Sequence, residues 1–181
     1  SQPLAYIDLE DGGPKIVIED SYQLARNSTS SEISQSPRKY STDVRIAQFI
    51  AGPYLHEEEI ESIVANGPQA IVIHGTGLGH LPIDDSGKDA PENTKVWRVL
   101  TRCVNRNIPV VITSQCLNGP IDMNVYSKGR KQQQMGLLGH GSVATPDTTL
   151  VKIHWALSND KDVGKIISMN LCGENHNVLL E

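Results

Sequence analysis

From Asp43 onward the chain alternates short apolar runs with amphipathic segments, and this alternation restricts the fold more than any other feature. VRIAQFIAG (44–52) reads as a strand ended by Gly52-Pro53, QAIVIHG (69–75) as a second strand and IPVVITS (108–114) as a third. The last two are continuous apolar runs, which suit strands covered on both faces. Between the first pair, LHEEEIESIVANG places Ile60, Ile63 and Val64 on one helical face, acids on the other and in the first turns, and Gly67 as a stop. Between the second pair, Thr94 can cap a helix through Asn105, with Val96, Val99, Leu100, Cys103 and Val104 at helical spacing. Thr145-Pro146-Asp147 combines a cap, a first-turn proline and an acid, opening a helix that turns Leu150, Ile153, His154 and Leu157 inward. Asn159 can cap a final helix carrying Val163, Ile166 and Ile167. Strands parted by helices imply crossover connections, so the predicted fold is α/β: three layers, α/β/α, around a small, mainly parallel sheet of about four strands.

Residues 1 to 43 have a different character. Leu4 to Leu9 and Lys15 to Ile18 can form two short strands about the turn Asp11-Gly12-Gly13-Pro14. Beyond Tyr22 comes RNSTSSEISQSPRKYST, whose only sizeable aliphatic residue is Ile33. Such a stretch buries too little apolar surface to offset the entropy of ordering, which is linker composition. A chain of 181 residues is too short for two full α/β domains. The expected division is the end of a preceding domain (1–19), a linker (20–43) and one α/β domain (44–181). Sixteen Lys and Arg against 21 Asp and Glu leave a charge of −5, which argues against a broad basic face wrapping nucleic acid. Three widely spaced cysteines form neither a disulfide framework nor a zinc knuckle and suit a reducing, cytoplasmic setting. No stretch approaches the roughly 20 apolar residues of a membrane span, and the first residues lack the basic-then-apolar order of a signal peptide.

In open parallel sheets, ligands meet the loops at the carboxyl ends of strands, especially where strand order reverses. Two loops qualify, Gly75 to Pro82 and Ser114 to Tyr126. The first, HGTGLGHLP (74–82), has glycines at alternate positions, allowing tight bends and close backbone approach. It departs from GxGxxG at His80 and lacks the Lys-Ser/Thr of a P-loop, so a turn packed on a neighbouring loop outweighs a nucleotide site. His74 and His80, even with Asp84 and Asp85, match no common zinc spacing, and His74 reads as a strand-end residue bonded locally. The second loop offers Ser114, Gln115, Asn118, Asp122 and Asn124, donors and acceptors suited to an amide or a carboxylate. Cys116 has no nearby His to activate it and reads as a small, partly buried side chain rather than a nucleophile. Lys128, Arg130 and Lys131 read first as a solvated helix face, second as a contact to phosphate or carboxylate. No Ser-His-Asp order, HExxH or catalytic glutamate pair can be assembled.

Around these two loops, through VRIAQFIAG, GPQAIVIHGTGLGHLP, NIPVVITSQCLNGPIDMNVYSKGR and TPDTTLVKIHWALS, the sequence resembles the carboxyl-terminal domain of the type I asparaginase family. Within that family it is most similar to the branch that provides the glutaminase (D) chains of archaeal glutamyl-tRNA(Gln) amidotransferases. The resemblance covers residues 44–181, and SQPLAYIDLEDG is similar to the segment leading out of the family's first domain. It implies amide hydrolysis through an acyl-threonine intermediate. The catalytic threonines, aspartate and lysine would come from a first domain whose GGTI and GTDT motifs are absent here, so no catalytic residue is expected in this chain and Thr76 is not a nucleophile. The resemblance further implies a homodimer in which this domain completes the neighbour's active site. Gly77, Leu78, Gly79, His80, Asp122 and Asn124 would stand at the rim, with Ser114 and Gln115 as polar support. Asn124 stands where secreted bacterial asparaginases carry a glutamate reading the substrate amino group, and Pro120 where relatives carry a basic residue. A neutral side chain holds an ammonium less strongly than a carboxylate does, which leans away from free asparagine.

The implied partners are glutamine or asparagine as substrate, an amidotransferase E subunit and, mainly through it, Glu-tRNA(Gln). ATP and Mg would be used by that partner, with no cofactor or metal held here. A stand-alone cytosolic asparaginase is the nearest alternative, and a non-catalytic α/β binding or scaffold module is the alternative of another class.

Overall fold

The computed structural model describes residues 5–10, 12–20 and 40–175. The central part of the expected linker, 21–39, lies outside them. Strands β1 (Ala5–Glu10) and β2 (Gly13–Ile18) form an antiparallel hairpin with Glu10 opposite Gly13. Gly13 and Pro14, expected in the turn, already belong to the second strand. Tyr6, Ile7, Leu9, Ile16 and Ile18 of this hairpin are exposed.

The main sheet contains β3 (Ile46–Ile50), β4 (Ala70–Gly75) and β5 (Val110–Ser114), parallel throughout, in the order β3-β4-β5. Side chains alternate across a strand, so this sheet feeds two cores. Ala47, Phe49, Ile71, Ile73, Val110 and Ile112 point to one face, where Ile60 of α1 (Glu57–Val64) and Val96, Val99, Leu100 and Cys103 of α2 (Pro91–Asn105) cover them. Ala70, Val72 and Val111 point to the other, covered by Ile153 and Ala156 of α4 (Pro146–Ser158) and by Val163, Ile166 and Ile167 of α5 (Val163–Ser168). The three layers thus follow from strand period two meeting helix period 3.6. Each fully buried Ile or Leu contributes about 1.5–3 kcal/mol, and residues such as Ile71, Ile73 and Leu100 are wholly removed from solvent. No helix among the described residues is long and apolar enough to cross a membrane.

Of the expected fourth strand only one residue pairs among the described residues. Leu138 bridges Val111 in parallel, giving its N–H to Val110 and accepting from Ile112, both at 2.9 Å. The next residue explains the stop. Gly139 has φ of 115°, and a Cβ there would lie 2.3 Å from the Ile112 carbonyl oxygen. The positive φ takes the chain out of the extended conformation, and only glycine fits this close to Ile112. With strands in chain order, the described sheet also lacks the order reversal at which ligands often sit, although both expected loops leave its carboxyl edge.

Three helix boundaries differ from expectation. α2 starts three residues before Thr94, with Ala90 as its cap, Pro91 in the first turn and Glu92 beside the positive end. The Asp85 carboxylate accepts the Ala90 N–H at 2.8 Å, a cap supplied from the preceding loop. α5 is capped by Asp162, which accepts from Gly164 and Lys165, rather than by Asn159. Asn159 instead closes α4, donating its amide to the Trp155 carbonyl at 2.7 Å. On α4 the buried stripe is Thr149, Lys152, Ile153 and Ala156, whereas Leu150, His154 and Leu157 are half-buried at its margin. Gly67 stands two residues after the Ala65 cap of α1, in the left-handed conformation, and gives its N–H to Val64.

Lys152 enters that stripe because it has a partner. Its ammonium lies 2.6 Å from Glu174, with both side chains almost wholly buried, and also donates to the carbonyls of Ile167 and Met169. Glu174 accepts in addition from the Leu171 and Cys172 N–H groups. Burial alone raises a carboxyl's pKa, yet Lys152 and these two amides hold Glu174 below its ordinary value. Burial pushes Lys152 the other way, down, against the pull of Glu174. With several donors converging on the carboxylate, we take the pair as charged at neutral pH.

Candidate functional site

The loop after β4 closes on itself. Thr76 and His80 exchange backbone hydrogen bonds of 3.0 and 2.9 Å, Gly79 donates to Thr76, and Gly77 and Gly79 adopt φ of 52° and 95°. Glycine is required at Gly75 for a different reason: a Cβ there would stand 2.6 Å from the Gly79 carbonyl carbon. The Thr76 hydroxyl donates to the His80 carbonyl at 3.2 Å and so serves the turn.

Three neighbours fasten this loop to the rest of the carboxyl edge. Ser114 at the end of β5 donates to the Gly77 carbonyl at 2.7 Å and accepts the Cys116 N–H. Asp122 gives its backbone N–H to the Leu78 carbonyl at 3.1 Å. Gln132, on α3 (Ser127–Met135), is completely buried, accepts from the Leu81 N–H at 3.0 Å and donates to the Gly79 carbonyl at 2.8 Å. Gln115 braces the strand ends, donating to the carbonyls of Ala51 and His74 at 2.7 Å each. The structure therefore brings Gly77, Leu78, Gly79, Ser114 and Asp122 into one hydrogen-bonded edge, with Gln115 behind it.

His80 and Asn124 complete this edge. The His80 ring meets Tyr126 edge to face, 5.1 Å between centroids, and its buried Nε2 has no hydrogen-bond partner among the described residues. Burial first, then the Lys128 ammonium, lower the His80 pKa against the opposing pull of Asp122, so the ring is neutral near pH 7. Asp122 Oδ1 accepts the Asn124 N–H at 2.8 Å. The Asn124 carbonyl accepts from Arg130 at 2.7 Å, and its side-chain amide contacts Gln133 at 2.8 Å and His140 Nε2 at 3.1 Å. Gly129 makes room for this approach, since a Cβ there would lie 2.4 Å from the Met123 carbonyl oxygen.

The basic cluster stays as read, since Lys128, Arg130 and Lys131 are all exposed; from that face Arg130 donates to the Asn124 carbonyl and Lys131 pairs with the Asp84 carboxylate at 2.5 Å, lowering the Asp84 pKa by that hydrogen bond. Other expectations change here. Cys116 is exposed rather than partly buried, because the chain leaves the sheet immediately after Ser114. His74 Nε2 is buried without a partner among the described residues, so the local bonding expected of that ring is incomplete. Among the described residues no three His, Cys, Asp or Glu side chains converge as a metal site. Gln132, Tyr126 and His140 do not stand out in the sequence. A glutamine within KQQQM, in a helix of mostly polar residues, carries no periodic signal of burial. Beside the edge lies a cleft of about 700 Å³ bordered by His74, Ser114, Cys116, Ser142 and Asp147.

The arrangement can present backbone carbonyls, amides, a carboxylate and a neutral imidazole to a small polar ligand. Among the described residues of this edge the Thr76 and Ser114 hydroxyls donate to backbone carbonyls rather than to a base, so neither is paired as an activated nucleophile.

Residues 43–169 match the model of the family described as the glutaminase/asparaginase C-terminal domain. Among curated proteins, the chain is 41% identical over 125 residues to the D subunit of the glutamyl-tRNA(Gln) amidotransferase of Methanobrevibacter smithii, covering 67% of this chain and 26% of that protein. It is 35% identical over 147 residues to the protein of the same name from Pyrococcus abyssi, covering 77% and 31%. Among solved structures, the thermostable L-asparaginase from Thermococcus kodakarensis matches with a TM-score of 0.65 at 24% identity, over 96% of this chain and 47% of that one. L-asparaginase I from Vibrio cholerae gives 0.66 at 20%, over 95% and 53%. The two structural likenesses speak for the fold. This chain spans between a quarter and a third of the length of the curated relatives it matches.

Proposed function

Since the chain belongs to the glutaminase/asparaginase C-terminal domain family, we propose that it is the site-completing, dimer-forming domain of the glutaminase subunit of a tRNA-dependent amidotransferase. The observation that carries the proposal is the pairing of that family match with the edge itself. Loops 75–81 and 121–126 are hydrogen-bonded into a polar rim that, among the described residues, lacks a nucleophile–base pair of its own. Gly77, Leu78, Gly79, His80, Asp122 and Asn124 form the part of this rim that meets the neighbour's substrate, and Ser114 and Gln115 support it from behind. Glutamine binds there, and a threonine of the other domain opens its amide. Ammonia then passes to an E subunit, which activates Glu-tRNA(Gln) with ATP and Mg in the cytoplasm. The names of the relatives support glutaminase over asparaginase.

The test compares three preparations: this 181-residue chain, the protein with its upstream domain, and that protein with an E subunit and Glu-tRNA(Gln). Expected are no ammonia from glutamine in the first, glutaminase activity in the second and stimulation in the third. Ammonia from the isolated chain would overturn the division of labour. Rapid turnover of free asparagine, unaffected by tRNA, would replace the amidotransferase by a stand-alone asparaginase.

A further inference from the structure

The rim contains a histidine with no role so far. His140 lies just past the Leu138 bridge, in the turn that Gly139 and Gly141 allow. Both of its ring nitrogens reach the segment 122–124. Nδ1 accepts the Met123 N–H at 3.1 Å and lies 3.9 Å from the Asp122 carboxylate, while Nε2 is 3.1 Å from the Asn124 side-chain amide.

Donor and acceptor counting then determines the state of the ring. A backbone N–H can only donate, so Nδ1 carries no hydrogen, and the neutral ring bears its proton on Nε2. That N–H needs an acceptor. The amide nitrogen of Asn124 is a donor, whereas its oxygen is not, and amide nitrogen and oxygen are assigned from just such networks. Turning the Asn124 and Gln133 amides by half a turn leaves the heavy-atom positions in place and gives every contact a donor and an acceptor. His140 Nε2–H then donates to Asn124 Oδ1, and Asn124 Nδ2–H to Gln133 Oε1.

Resting on the rim reading above, we propose that His140 is a positioning residue: as the Nε2–H tautomer it holds Asp122–Asn124 in place and fixes which end of the Asn124 amide faces the substrate. Asn124 keeps one free lone pair and one free N–H, a neutral pair suited to an amino-acid substrate's polar groups rather than to an ammonium alone. The charged groups in touch with this assembly are the Asp122 carboxylate beside Nδ1 and the Arg130 guanidinium on the Asn124 carbonyl, with the Lys128 ammonium and the neutral His80 ring across the rim. Charging the ring would put a second hydrogen against the Met123 N–H.

The experiment has two arms. In the 181-residue chain, nitrogen-15 spectra of the histidine rings at neutral pH report the tautomer directly; a proton on Nδ1, or a charged ring, overturns the proposal whatever the function. In the protein carrying its upstream domain, glutamine kinetics are compared for H140N, H140Q and N124A. Asn imitates Nδ1 and Gln imitates Nε2. H140N, losing the Asn124 bond, is expected to raise KM roughly three- to tenfold with kcat within about twofold, the cost of one neutral hydrogen bond. H140Q recovers part of that loss. If N124A raises KM and H140N does not, His140 has no positioning role while the rim stands. If N124A also leaves KM unchanged, the rim reading fails, and the positioning role with it.

Discussion

Replacing Gln132 by Met tests how the site is built. The substitution nearly conserves volume and deletes two hydrogen bonds at once. The Leu81 N–H and the Gly79 carbonyl would remain in a dry interior, because Gln132 is completely buried. Leaving a buried polar group unpaired costs about 1–3 kcal/mol, so the variant should lose about 2–6 kcal/mol, a large share of the roughly 5–15 that holds a domain together. Urea unfolding followed by circular dichroism reads this directly. With a slope of about 1–3 kcal/mol per molar, the midpoint should fall by roughly 2 M. A fall under about 0.3 M at unchanged slope would show that water reaches these groups and that Gln132 is no anchor. Q132E separates the hydrogen bonds from the packing. Its protonated acid can accept from Leu81 and donate to Gly79, whereas the carboxylate can do only the first. Burial raises the folded-state pKa of this introduced group above its unfolded value of about 4.3. Its stabilising contribution is then complete below that unfolded value and is lost as pH rises through the folded one. Relative to the wild type at each pH, Q132E should weaken with rising pH, and Q132M should not.

Four further outcomes follow from the same geometry. K152M leaves the Glu174 carboxylate buried without its cation and should cost about 3–5 kcal/mol in denaturant unfolding, while adding E174Q should restore much of it; equal losses would deny the coupling. Because the folded pKa of Glu174 is depressed, its contribution in the wild type is present above the ordinary value of 4.5 and is lost as pH falls through the folded value, which acid titration of stability would detect. G75A forces a Cβ against the Gly79 backbone and should destabilise by about 1–3 kcal/mol in thermal unfolding; a neutral effect would mean the loop is not held closed. K128Q removes a charge that disfavours the His80 imidazolium, so the His80 pKa should move up in an NMR titration, and an unmoved value would refute that attribution.

Much of the fold was legible because it rests on local period. The apolar runs at 44–52, 69–75 and 108–114 and the helices between them are written as patterns of two and 3.6 residues, and each run holds a strand, at 46–50, 70–75 and 110–114. Boundaries were less legible, since a cap can come from elsewhere: Asp85 serves Ala90 across a loop, and Asp162 outcompetes Asn159 by standing next to the helix it caps. The fourth strand is reduced, among the described residues, to the Leu138 bridge, because the positive φ of Gly139 leaves the extended conformation directly after it.

The site divides in the same way. Gly75, Gly77 and Gly79 announced a tight loop after a strand, and Ser114 to Asn124 announced polar chemistry at a neighbouring strand end, because composition and position along the chain suffice for that. Which groups meet there depended on packing between segments far apart in sequence. Gln132 reaches Gly79 across 53 positions, Gln115 reaches Ala51 across 64, and His140 reaches Asn124 only after the chain has turned at Gly139. A buried polar side chain is selected by the donors and acceptors that the fold leaves unpaired, and those exist only once the three layers have closed.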